Sequence, residues 1–181
     1  MRVALDTNYL LSMLDENAAV ARDPATKQPV EKAQERISYL IASLSQAKAK
    51  IIIPTPVLAE TLARAPRGGV DYLAVIDKLA GLELPGFDKR AALELASLEQ
   101  QHWGPNRPAA DSSRQKVKVD RQIVAICKVH GVETLYSDDG HMRSLANGLD
   151  IAVVQTHELP LAPEPPQREF EFENPQVDEE E

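Results

Sequence analysis

Short apolar stretches alternate along this chain with longer segments whose apolar residues recur at helical spacing. A short apolar run predicts a strand, and recurrence at intervals of three and four residues predicts one face of a helix. The predicted strands are residues 3–5, 51–53, 82–84, 133–136 and 151–154. The predicted helices are residues 9–14, 30–44, a segment from 55, and residues 72–79, 88–103, 119–130 and 141–147. This alternation predicts a parallel sheet in a three-layer α/β sandwich.

Turn and capping residues separate these elements. Thr55-Pro56 is a helix-start signal, with Thr as the N-cap and Pro at the first helical position. Asp88 can cap the helix that follows it, and Gly131 can close the helix that precedes it. Residues 16–29 and 104–116 contain prolines among charged or polar residues, so both segments are predicted to be loops.

Four carboxylates stand near the predicted junctions between strands and helices. Asp6 follows the first strand, Glu60 lies about one turn into the helix after the second, Asp120 opens an apolar helix, and Asp139 follows the fourth strand. The carboxyl ends of parallel strands share one edge of a sheet, where open α/β folds place their sites. Four gathered carboxylates cannot all stay ionised without a counter-charge. Mg²⁺ or Mn²⁺ favours such oxygen ligands, so we expect a metal site.

The net charge of −8 is unevenly distributed along the 181 residues. Residues 162–181 contain eight acids and one base, whereas the rest of the chain has 19 bases and 20 acids. A nearly neutral body with four acids assigned to metal leaves nucleic acid open as a partner. The chain has one cysteine, Cys127, in an apolar helical stretch, where we expect a reduced packing residue. With no apolar run of membrane-spanning length, we expect a cytoplasmic protein and no membrane partner.

The four acidic segments resemble, in order, the four motifs of the PIN domain, a metal-dependent nuclease fold that includes the VapC-type toxin ribonucleases. The segments are Val-Ala-Leu-Asp-Thr-Asn at 3–8, Pro-Thr-Pro-Val-Leu-Ala-Glu at 54–60, Asp-Arg-Gln-Ile-Val-Ala-Ile at 120–126 and Leu-Tyr-Ser-Asp-Asp-Gly-His-Met at 135–142. The resemblance spans residues 1–158, which we expect to form one PIN-like nuclease domain. Residues 159–181 are an acidic, Pro- and Glu-rich tail, which we expect to be disordered.

The resemblance implies a divalent-metal-dependent endoribonuclease that leaves a 5′-phosphate and a 3′-hydroxyl. The implied catalytic and metal-binding residues are Asp6, Glu60, Asp120 and Asp139. The polar residues implied to support them or to contact phosphate are Asn8, Ser137 and Asp138. His141 stands where the family often has a second acid, so Asp138 remains a contender for the role of Asp139. The implied partners are an RNA substrate, an antitoxin protein and a second copy of the chain in a homodimer.

A group of basic residues surrounds Asp120 and is a candidate surface for the RNA backbone. Its members are Arg114, Lys116, Lys118 and Arg121. The alternative is a solvated loop with no partner. His141 is interpreted as a surface or packing residue, and Trp103 as an anchor for the end of a helix.

Three other interpretations compete with the nuclease. Each acid taken singly can be a helix cap or a surface residue, as Asp6 and Asp120 illustrate. A non-catalytic PIN-like scaffold could bind RNA or protein without cleaving it. Haloacid-dehalogenase-type phosphatases also begin with a strand ending in Asp, but they require a second Asp where Asn8 stands. Metal-dependent RNA cleavage separates the nuclease from the scaffold, and a phosphoryl-aspartate at Asp6 would indicate the phosphatase.

Overall fold

The computed structural model describes residues 1–15, 17–64, 69–79, 81–103 and 114–163. Its strands are β1 (Arg2–Leu5), β2 (Lys50–Ile52), β3 (Leu82–Glu83), β4 (Thr134–Tyr136) and β5 (Ala152–Val154). Its α-helices are α1 (Thr7–Leu14), α2 (Ala33–Gln46), α3 (Thr55–Arg64), α4 (Gly69–Ile76), α5 (Lys89–Leu98), α6 (Arg114–Val129) and α7 (Gly140–Ala146). A π-helical turn, Glu99–Trp103, follows α5, and a 3-10 turn, Thr156–Glu158, follows β5.

The five strands form one parallel sheet in the order β3-β2-β1-β4-β5. β1 is central, and Val3 lies opposite Ile51 of β2 on one side and Thr134 of β4 on the other. The chain therefore builds the sheet outward from β1 in one direction and then returns to build it in the other. Ligands of open α/β sheets bind at the carboxyl ends of the strands where this direction changes, here between β1 and β4.

Helices cover both faces of the sheet, as the sequence predicts for a sandwich. Parallel crossovers are right-handed, so the two directions of strand addition place α1–α4 on one face and α5–α7 on the other. The packing agrees, since α1 contacts α2 and α3, while α6 contacts α5 and α7. Contact between α3 and α6 brings the two helical layers together. The core lies between these layers, with Leu5, Ile52 and Leu135 from neighbouring strands fully buried.

The start of α6 is the main error in the element prediction. The helix begins at Arg114, whereas the sequence pattern placed its start at 119 and a loop before it. The basic stretch before Asp120 has few apolar residues to show a helical period, but Arg, Gln and Lys favour helix and Val117 is buried. As a result Lys116 and Lys118 lie on a helix, and Asp120 lies in its second turn and does not cap it.

Other boundaries differ from the prediction by a few residues, as helix and strand ends commonly do. Asp88 caps α5 through a hydrogen bond from the Ala91 N–H (2.9 Å), and Gly131 after α6 has a φ of 63°. The predicted loop at 104–116 and the predicted tail at 159–181 fall partly on residues 104–113 and 164–181, which are outside the described residues. Across the described ranges, the structure contains no helix with the length and apolar character of a membrane span.

Candidate active site

Asp6 lies at the carboxyl end of β1, where the strand turns directly into α1. Its backbone N–H donates to the carbonyl of Tyr136 in β4 at 3.0 Å. Its carboxylate accepts a hydrogen bond from the Thr7 N–H at 2.7 Å and another from the Ser137 hydroxyl at 2.6 Å. Asp6 is therefore an N-cap of α1 and is also fixed toward the end of β4, so capping and a site role are compatible in this residue.

Asp139 lies three residues after the end of β4 and caps α7. Its carboxylate accepts a hydrogen bond from the His141 N–H at 2.8 Å, and its own N–H donates to the Ser137 hydroxyl oxygen at 3.2 Å. Ser137 is fully buried between the two segments. The side chain of Ser137 therefore links the carboxylate of Asp6 to the backbone of Asp139.

The neighbouring acid, Asp138, lies away from this point. Its carboxylate accepts hydrogen bonds from the N–H and the hydroxyl of Thr156, at 2.8 and 2.9 Å. Asp138 thus ties the loop after β4 to the turn after β5. Of the two adjacent acids, Asp139 is the one that faces the other predicted site residues.

Glu60 and Asp120 approach from helices α3 and α6. The Thr7 hydroxyl donates to Glu60 at 2.7 Å, which links α3 to the start of α1. The side chain of Glu60 is 44% exposed and lies at the rim of the site. Asp120 is buried, and Nδ1 of His141 lies 2.9 Å from its carboxylate.

These four acids line one small cavity of about 160 Å³ at the carboxyl edge of the sheet. Four separate chain segments contribute them, as the strand order predicts. The rest of the described lining is Thr7, Asn8, Arg64, Lys116 and Ile123. The cavity is therefore polar and crowded with negative charge, with a cation on α3 and another on α6.

The pKa values of the Asp6 and Asp120 carboxyl groups are raised by burial and by the neighbouring acids. Burial raises the pKa of Asp6 above 3.8 despite its hydrogen bonds, and the charges of Glu60 and Asp139 raise it further. Burial also raises the pKa of Asp120, although the contact with His141 and the charge of Lys116 oppose the shift. Raised carboxyl pKa values mean that the folded state disfavours these charges when no external cation is present.

Two basic side chains supply the opposing charge within the site. Lys116 donates to Asp139 at 2.8 Å, and Arg64 lies 2.5 Å from Glu60 while also donating to the Asn8 side-chain oxygen at 3.2 Å. Burial alone would raise the pKa of Asp139, but the hydrogen bonds from Lys116 and the His141 N–H bring it below 3.8. The hydrogen bond to Asp139 raises the pKa of Lys116 in turn.

The donor chemistry of the cavity fits a hard divalent cation, because its acidic lining offers carboxylate oxygens and no thiolate. The arrangement is not a ready ligand shell, however. Among the described residues, no three His, Cys, Asp or Glu side chains are grouped as they would be around one ion. Two of the four acids, Glu60 and Asp139, instead contact the basic side chains of Arg64 and Lys116.

The predicted RNA-binding residues divide into different environments. Lys116 and Lys118 are exposed on α6, and Arg114 begins that helix with a side chain outside the described part. Arg121 is only 5% exposed, and it contacts Glu99 at 3.3 Å and stacks over the ring of Trp103, with 5.4 Å to the ring centre. This placement does not support Arg121 as an RNA-binding residue, since its side chain packs α6 against the π-helical turn that follows α5.

Sequence reasoning missed three contacts that complete the site. His141 was interpreted as a surface or packing residue, yet it contacts Asp120. Thr7 contacts Glu60, and Lys116 contacts Asp139. The position of His141 two residues after Asp139 was the available signal, because the first turn of α7 faces the same edge of the sheet. Trp103 is an anchor as predicted, since its indole N–H donates to the carbonyl of Leu145 at 3.0 Å.

Comparison with known proteins gives matches among solved structures alone. No protein-family model matches the sequence, and no curated protein matches it. The structure of VapBC2 from Rickettsia felis bound to promoter DNA matches with a TM-score of 0.56 and 13% identity, over 86% of this chain and 98% of that one. VapC20 of Mycobacterium tuberculosis, a toxin that cleaves the sarcin-ricin loop, matches with a TM-score of 0.52 and 15% identity, over 83% and 98%.

DNA-bound VapBC from Salmonella typhimurium gives a third match, with a TM-score of 0.52 and 15% identity over 86% of this chain and 98% of that one. Structural matches at such low sequence identity show the fold alone and do not show the activity. The chain therefore has the PIN-like α/β sandwich of VapC structures, which confirms the fold class and the resemblance that the four motifs indicated.

Proposed function

We propose that this protein is a divalent-metal-dependent endoribonuclease that hydrolyses phosphodiester bonds of RNA. One observation carries the proposal: four acids from four chain segments line a single cavity at the switch point of a VapC-like fold. Scattered surface or capping acids would have no reason to converge there. The fold alone does not decide the chemistry, but a carboxylate cavity at this edge is suited to metal-assisted phosphodiester hydrolysis.

In this proposal Asp6, Glu60, Asp120 and Asp139 hold Mg²⁺ or Mn²⁺. The bound ion supplies the charge that offsets the acids and the phosphate, and it lowers the pKa of water for attack. The chain's own hydrogen bonds orient the ligands, as metal sites require of their supporting residues. Ser137 fixes Asp6 and Asp139, Thr7 fixes Glu60, and His141 fixes Asp120.

Substrate binding is assigned to the surface beside the acids. A larger groove of about 660 Å³ adjoins the acidic cavity, and the two share Glu60, Arg64, Lys116 and Asp120 in their linings. Exposed Lys118 extends the basic character of α6. An RNA backbone along this groove would bring a phosphate to the acids while its neighbouring phosphates meet lysine and arginine.

Cleavage of a labelled structured RNA tests the proposal directly. We expect cleavage with Mg²⁺ or Mn²⁺, none after chelation, and products with 5′-phosphate and 3′-hydroxyl ends. Asp120→Asn should abolish cleavage in a folded protein. Asp150→Asn is the matched control, since Asp150 is remote and its φ of 57° suits Asn. Full activity of the Asp120→Asn protein would refute the assignment of the site.

A non-catalytic RNA-binding scaffold is the second candidate. The two internal ion pairs and the lack of a preformed ligand group among the described residues favour it. Such a scaffold would bind RNA with the same affinity after chelation and would leave it intact at every metal concentration.

We also propose that the protein is the toxin of a toxin–antitoxin pair and that it forms a homodimer. The support is the fold shared with VapBC assemblies, two of which were solved with DNA. Co-expression with the product of a small adjacent gene should yield a stable complex with suppressed ribonuclease activity. Light scattering after size-exclusion chromatography would measure the mass of the chain alone, and a monomer at micromolar concentration would exclude a stable homodimer.

A further inference from the structure

Two basic residues, Lys116 of α6 and Arg64 of α3, line the acidic cavity. Arg64 lies one helical turn after Glu60 on α3, and Lys116 lies one turn before Asp120 on α6. Side chains four residues apart on a helix share one face, so each cation is placed beside an acid by its own helix. Both line the cavity that also contains Asp6.

The contacts of these cations are made with proposed metal ligands. Lys116 crosses from α6 to the loop after β4 and donates to Asp139 at 2.8 Å, so the pair is not a local helical one. Arg64 lies 2.5 Å from Glu60 and within hydrogen-bond distance of Asn8. Among the described residues that line the cavity, Lys116 and Arg64 supply the positive charge.

Resting on the proposed function, we infer that Lys116 and Arg64 are internal counter-ions that compete with the divalent ion for Asp139 and Glu60. A carboxylate oxygen held by an ammonium or guanidinium group cannot also be an unhindered ligand of a metal ion. Metal binding therefore requires these two side chains to leave the acids. The affinity of the site for metal would then be lower than the affinity of the four carboxylates without these cations.

The side chains have room to leave. The side chains of Lys116 and Arg64 are 54% and 52% exposed, respectively, and both also line the adjoining groove of about 660 Å³. A pair this exposed is weak enough to exchange, since solvent screens it. On release, both cations would face the groove assigned to RNA. The same two residues would then contact the acids before metal binds and the RNA backbone afterwards.

The test compares Lys116→Met with Lys118→Met by titration with Mn²⁺, following free Mn²⁺ by electron paramagnetic resonance. Both substitutions remove one positive charge from α6, so the two variants have the same net charge, but only Lys116 lines the acidic cavity. The competition predicts about fivefold tighter Mn²⁺ binding in Lys116→Met than in Lys118→Met, which is the upper effect of an exposed ion pair. Arg64→Met should act in the same direction, and Lys116→Arg should stay near the wild-type affinity.

Melting temperature gives a second, independent measurement. Without metal, Lys116→Met should melt below Lys118→Met by about 2–4 °C, because three acids lose a counter-ion. Saturating Mn²⁺ should erase this difference. Circular dichroism checks that each variant is folded before titration.

The outcomes separate this inference from the proposed function. Equal Mn²⁺ affinity in the Lys116→Met and Lys118→Met proteins would overturn the competition and leave the metal site intact. Weaker binding in Lys116→Met would also overturn it, because Lys116 would then position the ligands. If the Lys116→Met protein bound Mn²⁺ and the wild type did not, the result would support a competition strong enough to prevent metal binding in the wild type. Absence of binding in every variant would remove the metal site and the inference together.

Discussion

Replacing Asp6 by Asn should stabilise the metal-free protein while abolishing its proposed activity. Asp6 is disfavoured as an anion because of burial, and Glu60 and Asp139 add to the effect. Asn has nearly the same volume and no charge. One of the two hydrogen bonds, from Thr7 or from Ser137, can be kept whichever way the amide is oriented.

The expected gain is the difference between two effects. Relieving charge at a crowded functional site commonly stabilises a protein by about 0.5–2 kcal/mol. At pH values where the Asp6 carboxylate would be fully charged, we expect the upper end of this range, about 2 kcal/mol. When the amide of the Asp6→Asn protein is oriented to keep the hydrogen bond from Thr7, the buried Ser137 hydroxyl loses its carboxylate acceptor. This loss costs about 1 kcal/mol. The net gain is then about 1 kcal/mol, or a rise in melting temperature of about 2–4 °C for a chain of this size.

The pH dependence gives a sharper measurement than a single melting temperature. Burial raises the folded-state pKa of Asp6 above its ordinary value of 3.8, so the folded state holds the proton more tightly than the unfolded state. The stability that protonated Asp6 contributes is fully present below pH 3.8 and is lost as the pH rises through the folded-state pKa. The advantage of the Asn protein should therefore grow as the pH rises from about 3.8 towards 8.5 in the presence of a chelator.

Calorimetry in a chelating buffer across this pH range is the assay, with Asp138→Asn as a matched control. Asp138 accepts two hydrogen bonds from Thr156, so its amide should destabilise the fold. If the Asp6→Asn protein melts at or below the wild type at pH 8.5, or if its advantage shrinks as pH rises, the electrostatic account of the cavity is wrong.

Three further predictions follow from other parts of the molecule. Arg121→Met should lower the free energy of unfolding, measured by urea titration, by about 1–2 kcal/mol, since it removes a partly exposed ion pair and the cation over Trp103. An unchanged urea midpoint would contradict this packing role and make Arg121 a candidate RNA-binding residue again. Cys127 is fully buried and burial raises the pKa of its thiol to about 12, so a disulfide reagent should label it only after unfolding, and rapid native labelling would contradict the packing of α6. Deleting residues 162–181 should tighten RNA binding at low salt if this acidic segment competes for the basic surface near Lys116, and an affinity unchanged across a salt series would exclude that competition.

Local sequence features predicted the elements because they act over a few residues. Apolar spacing, the Asp88 cap and the glycine after α6 each act within one or two turns, and the structure has them where they were predicted. The start of α6 was missed because its first turn is basic and carries a single buried anchor, Val117. Helix propensity without apolar periodicity was not enough to distinguish that turn from a loop.

The sequence by itself determined the order of strands and helices and the presence of an acid near each of four junctions. Once parallel strands are assumed, their carboxyl ends must share one edge, so the convergence of Asp6 and Asp139 was predictable. Only the tertiary structure decided which neighbours these acids have. Ser137 and Asp6 are 131 residues apart in the chain, and Lys116 reaches Asp139 across 23 residues. Such contacts depend on strand order and on the rotation of each helix about its axis, which is why Asp139 faces the cavity, Asp138 faces Thr156, and Arg121 is buried against Trp103.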